Sequence, residues 1–106
     1  MNILDNAKAH FEKIETKVID VPEWDTQIFC TPMTMNEKKS LWKFAKEDDF
    51  EFMVRTLIMK ALDSDGNKLF DLSQKPELMN KVSPDVIVRV VGEMSQAVSI
   101  EDAEGN

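Results

Sequence analysis

The sequence predicts a small α+β fold that is mainly helical: an N-terminal helix, one β-hairpin, then three to four helices in a small bundle. Three observations carry that prediction. Apolar residues recur at helical spacing over most of the chain. Two short β-branched or apolar runs, Val18-Ile19 and Ile28-Phe29-Cys30, flank a Pro-Glu-Trp-Asp turn, which is a hairpin pattern. Strong helix starts stand at Thr34 with Glu37, a capping-box spacing, and at Ser83-Pro84-Asp85.

The elements follow in order. Ile3, Leu4, Ala7, Phe11 and Ile14 recur at helical spacing behind Asn2, so a first helix is expected over Ile3–Ile14, with Lys8, Glu12 and Lys13 on its wet face. The hairpin is expected as Lys17–Val21 and Gln27–Thr31. Pro22 fixes its own φ and biases Val21 to extended backbone, which ends the first strand. A lone two-stranded hairpin is marginal in water, so it must pack on helices or pair with another subunit. The second helix is expected over Met35–Lys46, with Leu41, Trp42 and Ala45 inward. A third covers Asp49–Leu62. It is apolar nearly all round except at Glu51, Arg55, Thr56 and Lys60, the pattern of a central helix or one buried between subunits. Asp63 to Lys68 reads as a helix-ending turn with Gly66 at positive φ. A brief helix over Pro76–Lys81 precedes a last one over Pro84–Val98. The β-branched run of that last helix permits a strand over Asp85–Val91, but the start signals and continued spacing decide for helix. Gly92 is expected to allow close helix packing. Glu101, Asp102 and Glu104 mark residues 99–106 as a disordered acidic tail behind a single domain over 1–98.

Bulk composition excludes several functions. A chain of 106 residues buries roughly 65% of its unfolded surface, enough for one modest core without staples. The single cysteine, Cys30, excludes an intramolecular disulfide and a multi-cysteine zinc site, and reads as a small buried apolar group in a reducing compartment. Asp5, Glu12 and Glu15 interrupt any signal-peptide core, and no apolar run is long enough to span a membrane. The net charge of −7 argues against nucleic acid and against anionic membrane surfaces as partners. Seven methionines serve either as core fillers or as adaptable contact groups. Lys38, Lys39, Lys43 and Lys46 precede Glu47, Asp48, Asp49 and Glu51. Complementing the ends of two successive helix dipoles explains both runs.

Catalytic chemistry finds no support, and no enzyme is expected. His10 is the only histidine and reads as a solvated surface group. Three glycines leave no room for a phosphate-cradling loop. Asp63, Asp65, Asn67 and Asp71 fall at positions 1, 3, 5 and 9 of a calcium-loop frame. The frame fails at position 6, where Lys68 replaces the glycine, and at position 12, where Gln74 replaces the bidentate glutamate. No metal and no cofactor are expected. What remains is apolar: Trp24 in a turn, Met33 and Met35 beside the second strand, Phe50 and Phe52 near a helix start, and Leu69-Phe70 after the loop. Each suits a core, yet together they are numerous for so small a domain, and an exposed patch covered by a partner is the alternative.

Val21-Pro22-Glu23-Trp24, Asp63-Ser64-Asp65-Gly66 and Leu69-Phe70, in that order, resemble the motifs of the small tail assembly chaperones of long-tailed bacteriophages. The similarity covers about Lys17 to Gln96. Asp25 departs from it, since glycine is expected after the tryptophan. The resemblance implies a protein that coats the helical tape measure protein, shields its apolar surface and is absent from the mature virion. It also implies the cytoplasm of the bacterial host and, in many phages, a longer frameshifted form that recruits tail tube subunits. The open-edged hairpin and the third helix, apolar nearly all round, predict self-association through one of those two surfaces. The contact candidates are Trp24, Met33, Met35, Phe50, Phe52 and Phe70. A second reading is a structural or connector subunit that stays in the particle. A third, an acidic mimic of DNA, fits poorly because thirteen basic residues interleave the negative charge.

Overall fold

A computed structural model describes residues 2–95. The last residues of the expected fifth helix and the expected acidic tail, 96–106, lie outside the described residues. The chain forms α1 (Ile3–Glu12), β1 (Lys17–Val21), β2 (Thr26–Cys30), α2 (Met35–Ala45), α3 (Asp49–Lys60), α4 (Lys75–Asn80) and α5 (Pro84–Ser95). This is the mainly helical α+β architecture expected.

Asn2 caps α1 by accepting from the Asp5 amide at 2.8 Å. The helix stops short of Ile14, because the amides of Lys13 and Ile14 bond back to His10 and Phe11 at 3.1 Å in a tightened last turn. Its apolar face is not buried as its spacing implies: Ile3 is 83% and Leu4 65% exposed, and no α1 residue enters the core. A helix needs a complementary surface as well as a stripe, and the described residues bury none of the α1 stripe.

The strands pair antiparallel, from Lys17 opposite Cys30 to Val21 opposite Thr26. Alternation turns Ile19, Val21, Ile28 and Cys30 inward. Burial raises the Cys30 thiol pKa, as suits an inert packing group. The loop is a single 3-10 turn, Pro22–Trp24, followed by Asp25 at φ 52. So short a loop starts β2 one residue earlier than expected. It also explains the preference for glycine at position 25: the backbone there is left-handed, which Asp tolerates better than most residues.

The hairpin is not alone. Phe29 exchanges both backbone hydrogen bonds with Leu62, at 2.8 and 3.0 Å, and Leu62 bridges on to Lys68. The segment after α3 is therefore a small hairpin laid on the edge of β2. The expected helix-ending turn is corrected. Ala61 is extended at the end of α3, and the left-handed glycine, Gly66 at φ 86, comes five residues later.

Helix α3 is the central one. Val54, Leu57, Ile58 and Ala61 join the hairpin, Leu78 of α4, and Ile87, Val90, Val91 and Met94 of α5 in one core. Leu41 and Ala45 of α2 are buried on its other side. That second layer buries two residues the sequence places outward. Thr56 bonds its own helix at Phe52 O, 2.7 Å away, and Lys60 is 4% exposed. Trp42, expected inward, is exposed, since Leu41 and Ala45 fill the contact with α3.

Gly92 corrects another expectation. It faces solvent, and an added Cβ would meet nothing within 4 Å. Gly92→Ala should therefore raise stability by about 0.8–1 kcal/mol through helix propensity alone. A rise in thermal midpoint checks this. A fall would show a close packing partner at that face.

Candidate protein-interaction site

Two apolar features stand out. The first surrounds the Pro-Glu-Trp turn. Arg89 of α5 donates to Glu23 through two nitrogens, at 2.7 and 3.1 Å, and to the Asp20 carbonyl at 3.3 Å. The Arg89 hydrogen bond, aided by a backbone one, holds the Glu23 carboxyl below its ordinary pKa. The turn is thereby tied to α5. Trp24 then meets Phe70 edge-on, ring centroids 6.0 Å apart. With Ile28, Leu69, Leu78 and Val82 the two rings line an apolar pocket of about 320 Å³.

The second feature lies on α2 and α3. Thr34 and Glu37 form the expected capping box, at 2.9 and 3.1 Å. Glu37 also accepts from Lys60 Nζ at 3.1 Å, and Lys60 reaches Thr31 Oγ1 at 2.8 Å and the Pro32 carbonyl at 3.4 Å. Partial burial raises the Glu37 pKa, but the Thr34 amide and Lys60 outweigh it, and the net shift is downward. Held in this way, α2 presents Met35, 82% exposed, and Trp42, 53% exposed. Trp42 rests on Phe52 with centroids 5.0 Å apart, and Arg55 sits 5.1 Å over Phe44 on the other flank.

The six candidate residues thus separate. Trp24 and Phe70 are partly buried against the core and share the pocket. Met33 is half-buried, and Phe52 lies half-buried beneath Trp42. Met35 and Phe50 are open to solvent. Sequence reasoning missed Trp42 and Phe44 as surface groups, and Arg89 and Lys60 as anchors. Spacing could have flagged Trp42, which stands seven residues from Met35. Nothing local signals Arg89, 66 residues from Glu23.

The calcium frame is put to other use. Asp63 Oδ1 accepts from the amides of Asp65 and Asn67, both at 2.9 Å, and these bonds lower its pKa. Asp71 and Gln74 cap one another in a 3-10 turn, with the Asp71 amide donating to Gln74 at 2.9 Å. Among the described residues no three His, Cys, Asp or Glu side chains come together to hold a metal ion. No helix among them is long and apolar enough to cross a membrane.

No family model matches the chain, and no curated protein matches it. A solved structure similar to it is that of the bacteriophage HK97 tail assembly chaperone, at 16% sequence identity and a TM-score of 0.58. The likeness covers 87% of this chain and 92% of that one. The motif resemblance is thus matched in three dimensions: this chain has the fold of the HK97 tail assembly chaperone.

Proposed function

We propose that this protein is a phage tail assembly chaperone that binds the tape measure protein and keeps it soluble until the tail tube forms. The observation that carries the reading is the shared fold over nearly the whole of both chains. The exposed apolar groups of α2 and α3 suit such a role, because a long helical partner without its tube exposes an apolar stripe that would otherwise aggregate. Net charge −7 keeps a many-copy complex soluble. The protein acts by binding and not by catalysis, works in the host cytoplasm and leaves before the virion matures. It self-associates, for which the α1 stripe, exposed among the described residues, is the main support, and a longer form brings in tail tube subunits.

The test is co-expression with the tape measure protein of the same phage. The expected result is co-purification and a several-fold gain in soluble tape measure protein. Light scattering of the chain alone should give a mass above 12.2 kDa. A tape measure protein that stays soluble alone, or does not co-purify, would overturn the chaperone reading. Recovery of the chain from mature particles would assign it to the structural subunits instead.

A further inference from the structure

We infer that the outward face of α2 is a docking surface for an acidic amphipathic helix of a partner protein. The inference rests on the proposed function in one respect, that the partner presents a helix. Met35 and Trp42 stand seven residues apart and so lie in line along α2. Lys39 lies one turn beyond Met35 beside that line, Lys46 is the left-handed residue that ends the helix just past Trp42, and Lys38 and Lys43 flank the line. Phe52 beneath Trp42 widens the apolar floor into α3 and holds the indole in place. The result is an apolar ridge flanked by cations.

Its charge is out of keeping with the rest of the molecule. From Met35 to Lys46 there are four lysines and one acid in a chain of net charge −7. The one acid, Glu37, is committed to Lys60. The helix dipole accounts for Lys43 and Lys46 at the C-terminal end of α2. It does not account for Lys38 and Lys39, which lie toward the N-terminal half, where it favours no cation. Elsewhere the cations packed between elements are paired, Arg55 and Lys75 with Glu51, Lys60 with Glu37 and Arg89 with Glu23. The other lysines without an ion pair among the described residues, Lys8, Lys13, Lys68 and Lys81, are scattered and form no cluster with an exposed tryptophan. Among the described residues, the four lysines of α2 have no carboxylate within ion-pair distance. A helix with an apolar stripe edged by Glu or Asp complements such a face in both shape and charge. Duplex DNA is disfavoured by the negative field of the whole protein. A bilayer is disfavoured because Leu41 and Ala45 are already buried on α3, which leaves too narrow an apolar face to insert.

The experiment titrates the full chain with a synthetic helical peptide of about 18 residues, five turns, carrying a leucine stripe edged by glutamate. Tryptophan fluorescence and amide chemical shifts report binding. Binding should be lost on replacing the peptide's glutamates with lysine, and should weaken steeply between low and high salt. Lys39→Glu/Lys46→Glu and Trp42→Ala should each weaken it about tenfold or more, while Lys13→Glu/Lys81→Glu leaves it unchanged. Circular dichroism confirms that the variants fold. Equal binding of both peptides, indifference to the α2 variants, or tighter binding to duplex DNA or phosphatidylserine vesicles overturns the inference. Tape measure protein that co-purifies equally with Lys39→Glu/Lys46→Glu overturns this surface and leaves the proposed function standing. Failure of the unaltered chain to co-purify removes that function, while the peptide arms still decide the surface.

Discussion

Leu57→Ala is expected to lower the unfolding free energy by about 3–4 kcal/mol, measured by urea denaturation. Leu57 is wholly buried on the central helix, within the core that joins the hairpin and α5. Truncation removes its transfer free energy and leaves a cavity with rigid walls, since backbone pairing fixes the strands on one side. For a domain of this size that is a large share of total stability. The thermal midpoint should fall by more than about 10 °C. A cost below about 1 kcal/mol would mean that α3 is not the centre of the fold.

Glu37→Gln is the second. It should cost about 2 kcal/mol, because it removes the negative charge facing the buried Lys60 ammonium and leaves it only neutral acceptors. Glutamine at this position still closes a capping box with Thr34, so the change isolates the ion pair from the cap. Adding Lys60→Met should recover part of the loss, since the uncompensated buried charge goes with it. The pH dependence has a definite sign. The folded pKa of Glu37 lies below its ordinary value of 4.5, so the stabilisation is complete above that pH and is lost as pH falls through the lower folded value. Glu37→Gln should flatten this acid limb while leaving a constant deficit at neutral pH. An unchanged acid limb would show that Glu37 is not ionically coupled to Lys60 in solution.

The cap at Thr34 and Glu37, the stop at Pro22, the start at Ser83-Pro84-Asp85 and the helical spacing of the last helix were all legible in the sequence. Each is a local matter: a side chain meeting a backbone group within a few residues, or a period of 3.6. The motif order around Val21-Pro22-Glu23-Trp24 also pointed to the fold that the HK97 comparison matches. The left-handed backbone at Asp25 explains why glycine is expected there.

What only the tertiary structure decided is which apolar and polar faces meet. The stripes of α1 and α2 look alike in the sequence, yet α1 buries nothing and α2 buries Leu41 and Ala45. Amphipathic spacing gives the direction of a face and not the existence of a partner for it. Lys60 and Thr56 read as solvent-facing until α2 is laid over α3, 23 residues from Glu37 in sequence to Lys60. The joining of Leu62 to the edge of β2, and of Arg89 to Glu23, likewise depends on contacts between distant segments. The sequence by itself determined where elements begin, end and turn, because those are short-range hydrogen-bonding and steric choices. Which aromatic groups are left facing outward was decided by packing alone, because burial is set by the surface that remains once every other element has taken its place.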